Sequence, residues 1–210
     1  MNFNTFQSHL PTIKKTVLGG LKSQFRLTPK MRIQYSESKI KAQNPKKAAV
    51  LAIFYPNKNN ETCFLLTLRA SYNGTHSAQI SFPGGKSEKE DVDFMHTAKR
   101  ETFEEVGIKQ EDITIIKQFT DAYIPPSNFL VTPFMGILNK TPTFITNEEV
   151  EEIIEVKLVD LLDDSKIIMK KMSTSYMKSI DIPCFKLNGY IVWGATAMML
   201  SEIKDVLKSL

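Results

Sequence analysis

Residues 84–108 read GGKSEKEDVDFMHTAKRETFEEVGI, and the fold is decided by how this stretch is parsed. Asp93 is of the short polar type that caps a helix N-terminus and Gly107 is the usual stop, so the sequence predicts a helix ending at Val106. On such a helix Glu101, Glu104 and Glu105 stand at i, i+3 and i+4, and their carboxylates project from one face. Like charges at that spacing oppose the helix by roughly 0.2–0.5 kcal/mol per pair, a cost that a bound cation would offset. Clustered hard oxygens favour Mg2+ or Mn2+, ions that bridge phosphate oxygens and neutralise charge on a phosphoryl group. Taken alone, the Glu-x-x-Glu-Glu run is also what a solvated acidic helix face looks like. Its flanks favour the metal reading: Gly84-Gly85 lets a backbone loop approach closely, and Arg100 can pair with the carboxylates and fix their rotamers.

Working outward toward the N-terminus, Gln79–Phe82 reads as a short strand that stops at Pro83-Gly84-Gly85. Before it, Ala48–Tyr55 and Cys63–Leu68 form two apolar runs around a Pro-Asn-Lys-Asn-Asn turn, which predicts a hairpin. Leu10, Ile13, Val17, Leu21 and Phe25 have helical spacing, so one helical face is expected over residues 10–28, closed by Pro29, with a loop to Pro45. Toward the C-terminus, Ile113–Thr120 and Leu130–Leu138 read as strands around a turn at Tyr123–Ser127. Residues 147–163 predict a strand and a short helix, and 167–172 and 183–193 two more strands. The chain closes on an amphipathic helix from Ala195 to Leu207, whose Met198 and Met199 belong to core packing rather than to a ligand box.

Composition bounds the function classes. With 210 residues, 42% hydrophobic and 24% charged, the chain sits in the range of ordinary globular proteins and needs no staples for its core. Cys63 and Cys184 read as core residues in a reducing compartment, and no secretory leader or bilayer-spanning stretch is recognisable, so a cytoplasmic location is expected, with no membrane partner. The net charge of +4 is unevenly spread: residues 1–47 carry +9 and the rest −5. That reads as a basic helical arm over 1–46, packed on or preceding a domain over 47–210. The arm is either a solvated face or an attractor for a polyanionic substrate, and no nucleic-acid motif accompanies it. Nothing in the sequence marks an internal repeat or a linker.

The loop, helix and turn around Arg100-Glu101-Thr102-Phe103-Glu104-Glu105-Val106-Gly107-Ile108 resemble the Nudix box, G-x5-E-x7-R-E-U-x-E-E-x-G-U with U apolar. Counting from Gly85, Asp91 falls where that pattern has its first Glu, eight residues instead of seven then precede Arg100, and Thr102 replaces an apolar residue. The Asp and the extra residue are similar to the coenzyme A pyrophosphatase branch of the family. That branch also carries an upstream signature, L-L-T-x-R-[SA]-x3-R-x3-G-x3-F-P-G-G. Here it reads Leu65-Leu66-Thr67-Leu68-Arg69-Ala70, then Gly74 where Arg is usual, Ala78 where Gly is usual, and Phe82-Pro83-Gly84-Gly85. Looser similarity extends through Tyr123-Ile124-Pro125, Glu149-Val150 and Trp193–Met198.

The resemblance implies an α/β fold, an α/β/α sandwich with a mixed sheet. It implies Mg2+ or Mn2+ on Glu101, Glu104 and Glu105, Arg100 orienting those glutamates, and Gly84 and Gly85 shaping the substrate loop. Arg69 would reach a substrate phosphate, with His76 and Gln79 in the same signature loop. The general base in such enzymes comes from the helix or from a later segment, so Glu104 or Glu105 stands beside the acidic run Glu148, Glu149, Glu151 and Glu152, of which Glu149 is the chosen candidate. The implied activity is hydrolysis of coenzyme A or an acyl-coenzyme A to 4'-phosphopantetheine (or its acyl form) and adenosine 3',5'-bisphosphate, in a family for which a homodimer is plausible. Gly74 keeps open a diphosphatase acting on ADP-ribose or another nucleotide; a second alternative, a sensor that binds nucleotides without cleaving them, is opposed by the retention of Arg100, Glu101, Glu104 and Glu105 together.

Overall fold

The computed structural model describes residues 1–29, 35–70, 79–174 and 177–210. A basic N-terminal segment forms helices α1 (Phe3–Ser8), α2 (Leu10–Lys15), α3 (Gly20–Gln24) and α4 (Glu37–Ala42). There follow β1 (Lys46–Pro56), β2 (Thr62–Arg69), β3 (Ile80–Ser81) and β4 (Gly84–Lys86), then helix α5 (Phe94–Val106). The second half holds β5 (Thr114–Gln118), β6 (Ala122–Ile124), β7 (Phe129–Ile137), β8 (Val150–Lys157), α6 (Leu158–Leu162), β9 (Ile167–Thr174), β10 (Met177–Leu187), β11 (Tyr190–Val192) and α7 (Gly194–Lys208).

Strands β1 to β8 make one mixed sheet, with β1 parallel to β7 over Lys46–Phe54 and antiparallel to β2 and β4. β1 is apolar without a break because both of its faces are buried. Ala49, Leu51, Ile53 and Tyr55 meet Ala98 and Val106 of α5 on one side, while Ala48, Ala52 and Phe54 join Ala197, Leu200 and Ile203 of α7 on the other. The result is the expected α/β/α sandwich. A smaller antiparallel sheet, β11-β10-β9, adds Phe185, Leu187 and Val192 to the α7 side. Met198 and Met199 are core residues, as are Cys63 and Cys184. Among the described residues no helix is long and apolar enough to cross a membrane.

The single helix expected over residues 10–28 is not formed. It breaks between α2 and α3, where Gly20 takes φ +63°, so Ile13 is buried while Val17 is 88% exposed. The break turns Ser23 and Gln24 inward to α7, where Ser23 meets Asp205 and Gln24 meets Glu202, and polar partners outweigh the apolar stripe there. The loop expected before Pro45 contains α4, capped by Ser36, whose Oγ accepts from the Lys39 amide. The turn at Tyr123–Ser127 includes β6, paired with β7. The strand expected over 183–193 is a hairpin: β10 and β11 pair across Asn188-Gly189, both at positive φ. Through Phe3, Phe6, Ile13 and Leu27 the basic segment contributes to the main core, with Phe6 stacked on Phe54.

Candidate functional site

The site is built where β2, β4, α5 and the start of β8 meet. β4 runs antiparallel to the first half of β1, pairing Gly84 with Val50 and Gly85 with Ala49. Gly84 adopts φ +147°, and a Cβ there would lie 2.3 Å from the Ala49 carbonyl oxygen, so no side chain fits. A Cβ on Gly85 would lie 2.5 Å from the carboxyl of Glu101. The two glycines thus press bare backbone against the acidic face of α5. That helix starts on Asp93, whose carboxylate accepts from the His96 amide, and ends on Gly107 at φ +74°. Thr102, anomalous in an apolar position of the motif, is fully buried and donates its hydroxyl to the Ala98 carbonyl at 2.7 Å, so it packs as an apolar residue would.

The three helix carboxylates sit at different depths. Glu105 is only 2% exposed; its Oε2 accepts from the Gly84 amide and its Oε1 from Arg69 Nη1, both at 3.1 Å. Burial pushes its carboxyl up to about 7 against the opposing pull of Arg69 and the Gly84 amide. Glu101 is largely covered, and burial raises it too, opposed by Arg100. Glu104 is about half exposed, at 49% of its side chain.

Arg100 ties this face to the loop. Its Nε and Nη2 reach the two oxygens of Asp91 at 2.9 and 3.0 Å, and Nη2 also donates to the Lys86 carbonyl. Its Nη1 lies 3.0 Å from both Glu101 and Glu104. Asp91 accepts in addition from the Thr97 hydroxyl and the Glu88 amide and meets His96 Nδ1 at 2.8 Å. The Arg100 guanidinium beside it and these further hydrogen bonds hold the Asp91 carboxyl far below the usual carboxylate range. The sequence reading placed Asp91 in the motif without giving it work; the signal was its position, at the place of the motif's first Glu.

Arg69 and Glu149 complete the cluster. Arg69 ends β2, and opposite it β8 slips by one residue, pairing Leu68 with Glu152 but Arg69 with Val150. Such a bulge re-aims side chains at a strand end. The Ala70 amide donates to the Glu149 carbonyl, and Arg69 Nη2 reaches Glu149 Oε2 at 2.7 Å, so one guanidinium joins Glu149 to Glu105. Of the other acids in that run, Glu152 is engaged by the Tyr190 hydroxyl, and Glu148 and Glu151 are exposed. The Gln79 carbonyl accepts from the Arg69 amide. Tyr72, Gly74, His76 and Ala78 lie outside the described residues.

Thus Arg69, Gly84, Gly85, Arg100, Glu101, Glu104, Glu105 and Glu149 are brought to one place, with Asp91 added. The donor chemistry suits a hard divalent ion. The carboxyls of buried Glu105 and largely covered Glu101 are raised by burial, and Gly85 leaves Glu101 the space that a side chain would fill. Among the described residues no three acidic, His or Cys side chains already converge as a ligand shell. Arg69 and Arg100 hold the carboxylates instead, Arg69 bridging Glu105 and Glu149 and Arg100 joining Asp91, Glu101 and Glu104.

Comparison with known proteins is consistent with this arrangement. The NUDIX domain model matches residues 45–175. Nudix hydrolase 22, chloroplastic, of Arabidopsis thaliana is 31% identical over 77% of this chain and 55% of its own length. The peroxisomal coenzyme A diphosphatase of Caenorhabditis elegans is 28% identical over 81% of this chain and 72% of its own. The mitochondrial coenzyme A diphosphatase of Homo sapiens is 31% identical over 64% and 58% respectively. The chain spans little more than half the length of the two Arabidopsis relatives it matches. A solved Nudix hydrolase from M. smegmatis superposes with a TM-score of 0.55 at 14% identity, over 79% of this chain and 88% of that one, a likeness of fold.

Proposed function

This chain belongs to the Nudix family, and from that premise we propose that it hydrolyses the diphosphate bond of coenzyme A or an acyl-coenzyme A, releasing 4'-phosphopantetheine or its acyl form and adenosine 3',5'-bisphosphate. The observation that carries the hydrolytic reading is the nearly buried Glu105, held between the Gly84 amide and Arg69 and facing a loop that has no side chain at Gly84 or Gly85. Coenzyme A is supported by the nematode and human relatives named as coenzyme A diphosphatases, and by the Leu65–Ala70 and Phe82–Gly85 parts of the upstream signature.

Glu101, Glu104 and Glu105 would hold Mg2+ or Mn2+. When bound, the ion supplies positive charge against the diphosphate oxygens and polarises water for the attack. The reaction is substitution at phosphorus: the water oxygen bonds to one phosphorus, the bridging oxygen leaves with the other, and a proton passes to a base. Our candidate for that base is Glu149, at the rim with 60% of its side chain exposed, with Glu105 the alternative inside. Arg100, locked on Asp91, holds Glu101 and Glu104 in register, and Arg69 offers a planar fork for a phosphate. Most of the rate comes from this positioning and from charge stabilisation. We assign the reaction to the cytoplasm on the strength of two unpaired thiols.

Gly74, standing where the signature has Arg, favours a second reading in which the substrate is ADP-ribose or another nucleoside diphosphate derivative. Products identified by mass spectrometry after incubation with coenzyme A or ADP-ribose, each with Mg2+, Mn2+ or chelator, separate the two. Metal-dependent phosphopantetheine release is expected; cleavage of ADP-ribose alone overturns the substrate. Glu101→Gln should abolish turnover and leave the circular dichroism unchanged; retained turnover would overturn the metal assignment.

A further inference from the structure

The two arginines of the site are held in different ways. Arg100 spends three hydrogen bonds on Asp91 and the Lys86 carbonyl, partners outside the glutamate cluster, and Asp91 is itself fixed by Thr97 and the Glu88 amide. That guanidinium stays where it is whatever the glutamates bind. Arg69 instead reaches Glu105 through Nη1 and Glu149 through Nη2. It sits between two carboxylates from different segments, one of them the Glu105 that would hold the ion.

Glu105 is buried with one neutral donor, the Gly84 amide, so a cation beside it lowers the cost of its charge while no metal is present. The guanidinium is that cation. Once an ion lies against Glu105, the same carboxylate cannot serve both at full strength, so the Arg69 Nη1 contact gives way there, and the other end rests on Glu149, whose side chain is mostly exposed and holds it weakly. The backbone does not have to follow, because the Arg69 and Ala70 amides are tied to the Gln79 and Glu149 carbonyls.

The geometry points to Arg69 as a resident counter-cation that the divalent ion displaces from Glu105 and Glu149, and that then turns its fork to a substrate phosphate, so that metal and phosphate bind cooperatively. This rests on the metal reading above. By linkage, whatever the ion gains from a phosphate-engaged Arg69, the phosphate gains from the ion.

The test is Mn2+ binding followed by electron paramagnetic resonance on the whole chain, for the wild type, Arg69→Gln, Arg69→Lys and Glu101→Gln. Displacement predicts that Arg69→Gln binds Mn2+ more tightly than the wild type by about tenfold, within the usual range of site-to-site coupling. Arg69→Lys keeps the charge on a single nitrogen, without the fork that gives Glu105 and Glu149 one nitrogen each, and should fall between them. A nearby positive charge acting only through space would leave Arg69→Lys equal to the wild type, and that result overturns the proposal, as does unchanged or weaker binding by Arg69→Gln. Mn2+ should also raise the melting temperature of both Arg69 variants by more than it raises that of the wild type. ADP, titrated calorimetrically in saturating Mg2+ and in chelator, reads the second half: the gain from metal should shrink in Arg69→Gln, and an undiminished gain overturns the hand-over to phosphate. Wild-type Mn2+ binding that Glu101→Gln abolishes keeps the metal reading standing even if displacement fails; no Mn2+ binding by the wild type overturns both.

Discussion

Glu105 and Glu202 are both buried glutamates on long helices, at 2% and 0% exposure, and they are treated in opposite ways. Glu202, on α7, accepts from the Gly20 amide and the Thr120 hydroxyl on one oxygen, and from the Thr120 amide and Gln24 Nε2 on the other. Those donors are neutral and come from the N-terminal segment and from Thr120 between β5 and β6, so this carboxylate knots three parts of the fold together. An ionised carboxylate has about four acceptor sites, and at Glu202 they are taken. At Glu105 the two contacts are one amide and one guanidinium, leaving acceptor capacity for a ligand. A saturated buried acid holds structure; an unsaturated one beside bare glycine backbone is arranged for chemistry.

The sharpest break of this contrast is Glu105→Gln. Turnover should fall on the order of 10^3-fold, the scale of losing a principal electrostatic group from a site, while the variant still melts cooperatively. Activity within tenfold of the wild type would place Glu105 with Glu202 among structural acids.

Next in size is the pH dependence of metal-free stability. The folded carboxyl of Glu105 lies at about 7, above its unfolded value, so its contribution is fully present below the unfolded value and is lost as pH rises through about 7. Between pH 5 and 8.5 in chelator the wild type should therefore lose roughly 3 kcal/mol that Glu105→Gln does not lose, an upper bound at 1.36 kcal/mol per unit. Asp91 has the opposite sign: its folded carboxyl is depressed, so its contribution is present above the ordinary Asp range and fades as pH falls below it. Urea denaturation across that range checks Glu105, and its extension below about pH 4 checks Asp91; a flat wild-type profile above pH 5 would remove the burial cost assigned to Glu105.

Glu202→Gln should move stability instead of catalysis. One amide oxygen can still accept from two neighbours, but the NH2 then faces donors, which costs about 2 kcal/mol at a buried site. Turnover per folded molecule should match the wild type; a parallel loss of turnover would mean that the knot also tunes the site.

Much of this contrast could be read from the chain, and some of it could not. The helix from Asp93 to Gly107, the β1–β2 hairpin and the clustering of Glu101, Glu104 and Glu105 follow from caps, periodicity and spacing, which are local. What escaped depends on distant partners. Glu202 reads as one more position on an amphipathic helix until the N-terminal segment folds back over it, and that segment reads as a continuous helix until Gln24 finds Glu202 and Thr120. The short strands β4 and β6 carry no periodicity of their own and exist because β1 and β7 offer them edges. Asp91 could be located by pattern, but its bidentate hold on Arg100 is a tertiary fact.

The smallest effect expected is the most local one, and it separates two adjacent glycines. Gly84→Ala would drive a methyl into the backbone of Ala49 and Val50 at a φ that disfavours any side chain, so it attacks the sheet itself. Gly85→Ala meets only the Glu101 carboxylate, the movable end of a long side chain, so the strand survives and Glu101 gives way. If the space left by Gly85 exists to let that carboxylate sit against the loop, Gly85→Ala should lower kcat/KM by about tenfold, or about 1.4 kcal/mol, with a melting temperature close to that of the wild type. The same substitution with activity intact would show that Glu101 works as well from a displaced rotamer. The acidic face of α5 would then be positioned by Arg100 and Asp91 alone, without help from the glycine loop.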